Sequence, residues 1–300
     1  MFSTNIERTI EKMKRSISII LLIAILASLG SAFAVDAGES RAVIGADLTD
    51  EQRAAVYATF GKTRGDITEL TVSISDEKLY LDGLVDPSVI GTRSISCVYI
   101  ETLPVGSGLQ VDVSNITWCS REMYINALVT AGISDAKLIV TAPIGVSGTA
   151  ALTGVYKAYE DITGEPLSDE AKLASTQELV ITAEIADQVG SYDAVLIVNE
   201  LKKILSETVN MTDAQVREEI KSIASANGIS VSDAVIDQLV KLCRSLEGLD
   251  DAALQKRVEE AQTAIQNLAK AQSTMSKVGE AISSFFKSIG NFFTNLFTKS

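Results

Sequence analysis

Ala136-Lys137-Leu138-Ile139-Val140-Thr141-Ala142-Pro143-Ile144-Gly145-Val146-Ser147-Gly148-Thr149-Ala150-Ala151-Leu152-Thr153-Gly154 is the stretch in which the chain changes from one kind of secondary structure to the other. Ala136 to Thr141 reads as a buried strand, and Pro143, which has no N–H to give to a ladder, predicts its end. Gly145, Ser147, Gly148 and Thr149 make a loop, and the small residues from Ala150 to Gly154 open a helix. Strand and helix signals alternate before this stretch. From Val146 onward the strand signals vanish.

Working back towards the N-terminus, Leu48-Thr49-Asp50-Glu51-Gln52 predicts a capping box and a helix running to Phe60, ended by Gly61. Ile67 to Ile74 and Arg93 to Ile100 read as half-buried strands, with a short helix at Asp76 to Leu81 between them. Pro104, Gly106 and Gly108 mark a turn before Leu109 to Val113, so this segment and the strand ending at Ile100 are expected to form a hairpin. Ser120 to Ala131 reads as a helix closed by Gly132.

Working forward, helical patterns cover residues up to Tyr159, then 169–189, 194–208, 213–226, 232–246, 251–275 and 277–297. Thr212 and Gln215 repeat the capping-box spacing, and Asn227-Gly228 separates two helices in a helix-turn-helix arrangement read as packing. The expected fold is α+β, a small mixed β-sheet covered by helices and followed by an all-helical C-terminal half. The expected parts are a mixed α/β domain at 46–160, a helical part at 161–248 and a helical extension with an amphipathic tail at 249–300.

The first residues carry an address. Lys12, Lys14 and Arg15 precede an apolar run from Ile17 to Leu29, and Ala32-Phe33-Ala34 follows. The run is shorter than the roughly 20 residues a spanning helix needs, and small residues at the last two alternate positions suit a signal peptidase. Residues 1–34 are therefore expected to be a signal peptide cleaved after Ala34, with Met13 as an alternative start and an uncleaved anchor as the alternative fate. The expected location is secreted or associated with the cell envelope.

The formal net charge of −13 repels phosphate backbones, so nucleic acid is not an expected partner. The chain contains no histidine, which removes Ser-His-Asp and Cys-His catalysis and imidazole zinc sites. No motif calls for a cofactor or a metal. Three cysteines, Cys97, Cys119 and Cys243, sit in a chain expected to meet an oxidising compartment. Antiparallel pairing could bring Cys97 and Cys119 together as a disulfide; the alternative is that all three are small buried hydrophobes.

The loop at 143–149 is the best local candidate for a binding site. Ser147, Gly148 and Thr149 lie where a strand gives way to a helix, and a helix N-terminus presents unpaired N–H groups and partial positive charge to an anion. There is no P-loop lysine, and the likeness to a nucleophile elbow is superficial because Thr149 replaces the second glycine. The competing reading is that Ser147 caps the helix and the small residues let it pack closely on the sheet. Neighbouring carboxylates such as Asp76-Glu77 read as solvated or first-turn charges. Asn115-Ile116-Thr117 and Asn210-Met211-Thr212 are candidate glycosylation sequons, each with an ordinary hydrogen-bonding alternative.

Near the C-terminus Phe285, Phe286, Ile289, Phe293, Leu296 and Phe297 recur at helical spacing opposite Lys277, Lys287 and Lys299. Such a face suits a membrane surface or a protein partner, and equally a terminal helix laid on the protein's own apolar surface.

Ile90-Gly91-Thr92, Cys97 to Glu101, Asn115-Ile116-Thr117-Trp118, Glu122 to Ile133, Ala142-Pro143, Val146 to Gly154 and Lys157-Ala158-Tyr159-Glu160, with the Leu48 to Gln52 opening, together resemble the YpuA-like family. The likeness extends from about Ala46 to Leu246. It implies an exported protein of the kind found in Gram-positive bacteria and some archaea, with a domain of unknown function, and it carries over no catalytic residue. Cys97 and Cys119 fall where the family is expected to have small or hydroxyl residues, so a disulfide would be peculiar to this chain. The expectation is an exported, non-enzymatic binding or interaction module that meets a protein or membrane surface through its last helix. The alternative is an enzyme or small-ligand receptor that holds an anionic group at the 143–149 loop.

Overall fold

Thr49 Oγ1 accepts a hydrogen bond from the Gln52 amide, and Gln52 Oε1 accepts one from the Thr49 amide at 3.0 Å. The expected capping box therefore opens α1 (Asp50–Phe60). The computed structural model describes residues 37–83, 90–249 and 252–267. The signal-peptide residues and the Phe285 to Phe297 face lie outside the described residues.

Before α1 comes β1 (Ser40–Gly45), a strand the sequence reading did not mark. After it follow β2 (Thr68–Val72), α2 (Ile74–Leu81), β3 (Cys97–Thr102), β4 (Leu109–Ile116), α3 (Arg121–Ala131), β5 (Ala136–Val146) and α4 (Thr149–Thr163). The helical half runs α5 (Asp169–Val189), α6 (Ser191–Lys203), α7 (Leu205–Thr208), α8 (Asp213–Ala226) and α9 (Asp233–Leu246), then a 3₁₀ turn (Glu247–Leu249) and helical residues 252–267. The helix expected over 194–208 is broken at Ile204, which takes ψ 15°. The architecture is α+β, with a mixed sheet in the first half and helices after it.

The five strands lie in the order β2-β1-β3-β5-β4. The expected hairpin does not form. β5 lies between β3 and β4, antiparallel to the first and parallel to the second. The reason lies in the side chains: Leu138 and Val140 of β5 are fully buried, whereas Gln110, Asp112 and Ser114 of β4 are exposed. A strand with polar residues towards water suits the edge, and the more apolar one takes the interior.

Pro143 does not end β5, which continues to Val146. Pairing with β3 stops at Cys97 opposite Thr141, and the β4 register shifts between Ser114 and Ile116 before resuming at Ile116 opposite Val146. Pro143 occupies that irregular gap, where no ladder bond is asked of it. Asn115, with φ 56°, makes the bend on the other strand, and its Nδ2 donates to Ala142 O at 2.8 Å.

The sheet has a core on each face. Ala42, Ile44, Cys97 and Tyr99 pack against Val56, Tyr57 and Phe60 of α1. Val43, Val98, Ile100, Leu138 and Val140 face the other way into the main core, shared with α3 to α6 and with Val216, Ile220, Leu239 and Leu242 of α8 and α9. The paired helices α8 and α9 thus commit their apolar faces to packing. Gly154 of α4 lies so close to the sheet that a Cβ there would be 3.1 Å from Val43 Cγ1. This approach seats the N-terminus of α4 beside the ends of β4 and β5.

Candidate ligand-binding site

β5 delivers Val146 and Ser147 to a turn that Tyr124 of α3 holds in place. Tyr124 Oη donates to Gly148 O at 2.7 Å, and Gly148 takes φ 100°. A Cβ at Gly148 would lie 2.5 Å from that same Oη, so glycine is required by both conformation and space. Gly148 is the N-cap of α4 and supplies no side-chain cap bond. The N-cap position thus falls on Gly148 rather than Ser147, whose hydroxyl lies 3.4 Å from Thr149 Oγ1.

The segment after β4 is laced to the same turn. Thr117 N donates to Val146 O at 2.8 Å and Cys119 N donates to Ser147 O at 3.2 Å. Between them stands Trp118, the chain's single tryptophan, half-buried against the core. From the other side comes α2, whose first turn is fixed by Ser73 and Asp76 in a capping box that the sequence reading did not mark. The next residue is Glu77, only 1% exposed.

These pieces enclose a cavity of about 380 Å³ lined by Glu77, Arg93, Ser96, Trp118, Ser147 and Thr149, with Ile90, Ile95 and Ala150 as apolar wall. The volume falls in the range of small-ligand pockets, roughly 300–1,000 Å³. Gly148 lines it too, so the structure brings Ser147, Gly148 and Thr149 together on one wall. Thr149 Oγ1 donates to Glu77 Oε2 at 3.4 Å, while Glu77 Oε1 has no hydrogen-bond partner. Burial pushes the Glu77 carboxyl up to about 7, and the charges of Asp47 and Asp76 act in the same direction. At neutral pH this acid therefore exchanges between a donor form and an acceptor form.

Sequence reading placed the loop but missed Glu77, Arg93, Ser96 and Trp118. Asp76-Glu77 looked like surface charge because nothing local shows that the capping residue faces water while its neighbour is buried. Trp118 was the available signal, a lone aromatic beside a loop rich in Gly, Ser and Thr.

The cysteine expectation is corrected. Cys97, Cys119 and Cys243 are free and buried. Cys97 packs with α1 on one face of the sheet and Cys119 sits in the core on the other, so the sheet separates them. Burial pushes the three thiols up to about 11, about 12 and about 11, respectively. At the sequons, Asn115 has its amide nitrogen engaged with Ala142 O, whereas Asn210 is exposed just ahead of the Thr212 cap.

A second polar cluster is wholly internal. Glu178 of α5 and Lys202 of α6 are 2.6 Å apart with both side chains fully buried, and Thr130 of α3 donates to Glu178 at 2.5 Å. It joins three helices of the core and lines no cavity on the ligand side. Among the described residues no group of three or more Cys, Asp or Glu side chains could hold a metal ion, and no helix is long and apolar enough to cross a membrane.

The sequence comparisons fit the span of this fold. The family described as "Protein of unknown function (DUF1002)" matches residues 44–264, from the end of β1 into the helical residues after the 3₁₀ turn. A relative named "Uncharacterized protein YpuA", from Bacillus subtilis (strain 168), is 33% identical over 263 residues, 87% of this chain and 90% of that protein. No solved structure matches the chain. With β2 to β5, the cleft and α1 to α9 inside the matched span, the chain belongs to the YpuA-like family of proteins of unknown function, the DUF1002 family.

Proposed function

We propose that this chain is an exported binding protein whose cleft between Glu77, Trp118 and the start of α4 takes a small ligand and holds its anionic group at Ser147, Gly148 and Thr149. One observation carries the reading: a cavity of about 380 Å³ is walled by the N-terminus of a 15-residue helix whose cap offers no side-chain acceptor. A bound anion would complete that first turn, and the partial positive charge there favours it. Arg93 on the same wall adds a full positive charge.

A binding role is favoured over catalysis by the chemistry of the wall. Among the described residues lining the cleft Glu77 is the one carboxyl, and the chain has no histidine to act with it as a base or to activate Ser147 or Ser96. Export rests on the order of basic residues, apolar run and Ala32-Phe33-Ala34 at the N-terminus. The Phe285 to Phe297 pattern supports attachment of the exported chain to a membrane surface or a protein partner.

The cleft is tested by titrating the chain beginning at Val35 with acetate, lactate and 3-phenylpropionate while following Trp118 fluorescence. At least one of these should change the emission saturably, and Ser147→Phe, which fills the wall, should abolish the change. An unchanged emission with all three, or an equal response from Ser147→Phe, would remove the cleft reading. N-terminal sequencing of the protein recovered outside the cell should give Val35. Cosedimentation with anionic vesicles should be lost on deleting residues 277–300.

A further inference from the structure

Glu77 poses a problem that anion binding alone does not solve. Its side chain is 1% exposed, it lines the cavity, and Oε1 has no hydrogen-bond partner. An unpaired carboxylate oxygen out of water costs several kcal/mol unless a donor reaches it. The buried Ser94 hydroxyl approaches the carboxyl and, with Thr149, opposes its upward shift, but it completes no hydrogen bond to Oε1, and none of the charged groups nearby supplies a donor. Thr149 at the start of α4 already donates to Oε2, and Asp47 before α1 and Asp76 on α2 are acidic. Arg93 gives its Nη2 to Asp47 O at 3.0 Å, and Lys157 of α4 is paired with Asp76 at 3.2 Å.

The cleft therefore carries two opposite poles side by side: the α4 N-terminus for a negative group, and an unpartnered buried acceptor on Glu77 for a positive, hydrogen-donating one. Thr149 belongs to both, since it is the first residue of α4 and the donor to Glu77. Ile90, Ile95 and Trp118 supply an apolar wall beside them. Resting on the anion reading above, we propose that the ligand is a zwitterion of the α-amino acid type, its carboxylate on the α4 N-terminus, its ammonium on Glu77 Oε1 and an apolar side chain against Trp118. A net-neutral ligand also suits a chain of net charge −13, which attracts no free anion at long range.

The pH dependence has a definite sign. The ammonium needs the carboxylate form, and Glu77, raised to about 7 in the free protein, must lose its proton before that contact forms. Affinity for the zwitterion should rise about tenfold from pH 6 to pH 8, because the competent fraction grows by roughly that factor. A ligand bound by carboxylate alone, with Glu77 protonated as donor, shows the opposite slope.

Calorimetry on the full mature chain with L-phenylalanine, phenethylamine and 3-phenylpropionate separates the outcomes. The expected result is that L-phenylalanine binds at least tenfold more tightly than either fragment at pH 8, and that Glu77→Gln removes this advantage over 3-phenylpropionate. If 3-phenylpropionate binds as well as L-phenylalanine and more tightly at pH 6, the zwitterion is overturned and the anion cleft survives. If phenethylamine binds as well as L-phenylalanine and 3-phenylpropionate does not bind, the anion pole is overturned as well. If none of the three binds, both readings fall. The pH profile of the unmodified chain decides the sign should Glu77→Gln not fold.

Discussion

Thr149 Oγ1 lies 3.4 Å from Glu77 Oε2, so the first residue of α4 and a residue of α2 meet at the wall of the cleft. The contact leaves the other carboxylate oxygen without a partner in a side chain that is 1% exposed. A site built this way stores an unfavourable ionisation that a ligand can relieve. Stability and recognition are then coupled through one carboxyl.

The coupling predicts a pH signature in the free protein. Glu77 is raised from 4.5 to about 7 by burial, so the folded state holds this proton over a range in which the unfolded chain has released it. Its contribution to stability is present below about pH 4.5 and is lost as pH rises through 7. Relative to Glu77→Gln, the natural chain should lose on the order of 3 kcal/mol across that window, by denaturant unfolding at several pH values. Parallel curves for the two proteins would mean that Glu77 is ionised without penalty.

Gly148 and Gly164 both take positive φ, at 100° and 70°, but only Gly148 has neighbours where a Cβ would go. Gly164→Ala should cost about 1–2 kcal/mol from backbone strain alone. Gly148→Ala should cost that plus the displacement of Tyr124 and Ile116, in total about 3 kcal/mol or more. Because Gly148 shapes the wall, only its variant should also lose the Trp118 response to ligand.

The thiols give a chemical test of the core. Cys97, Cys119 and Cys243 are buried and their ionisation is suppressed by burial, so none should react with a thiol reagent at pH 8 in the native protein. All three should react at once in denaturant without prior reduction. Recovery of a single reactive thiol would show that Cys97 and Cys119 are joined after all.

The Glu178–Lys202 pair holds α5 to α6 out of contact with water. Burial drives the two groups towards their neutral forms, Glu178 upward and Lys202 downward, and their mutual attraction opposes it. Lys202→Met alone should destabilise the fold by about 3–5 kcal/mol, since it strands a buried carboxylate. The double variant with Glu178→Leu should recover most of that loss in a double-mutant cycle.

The fold was legible where local chemistry is decisive. Thr49 with Gln52 and Thr212 with Gln215 announced their helix starts, and Gly61 and Gly132 their ends, because capping is a contest settled within a few residues. Strand order was not legible in the same way. Nothing within Thr102 to Gly108 says that β5, arriving after α3, will take the place beside β3 that a hairpin would give to β4. Pro143 misled for a related reason, since a proline ends a strand only when a neighbour asks for its N–H. At the site, the loop residues Ser147 to Thr149 could be read from their composition. Glu77 could not, because its burial depends on α4, Trp118 and the 90–96 segment arriving around it.

The most direct measurement is a carbon NMR titration of the Glu77 carboxyl in the mature chain, alone and with saturating L-phenylalanine. The account predicts a midpoint near 7 in the free protein, as burial sets it, and a midpoint at least one unit lower once an ammonium reaches Oε1. A midpoint near 4.5 in the free protein, or one that L-phenylalanine leaves unmoved or raises, would contradict it.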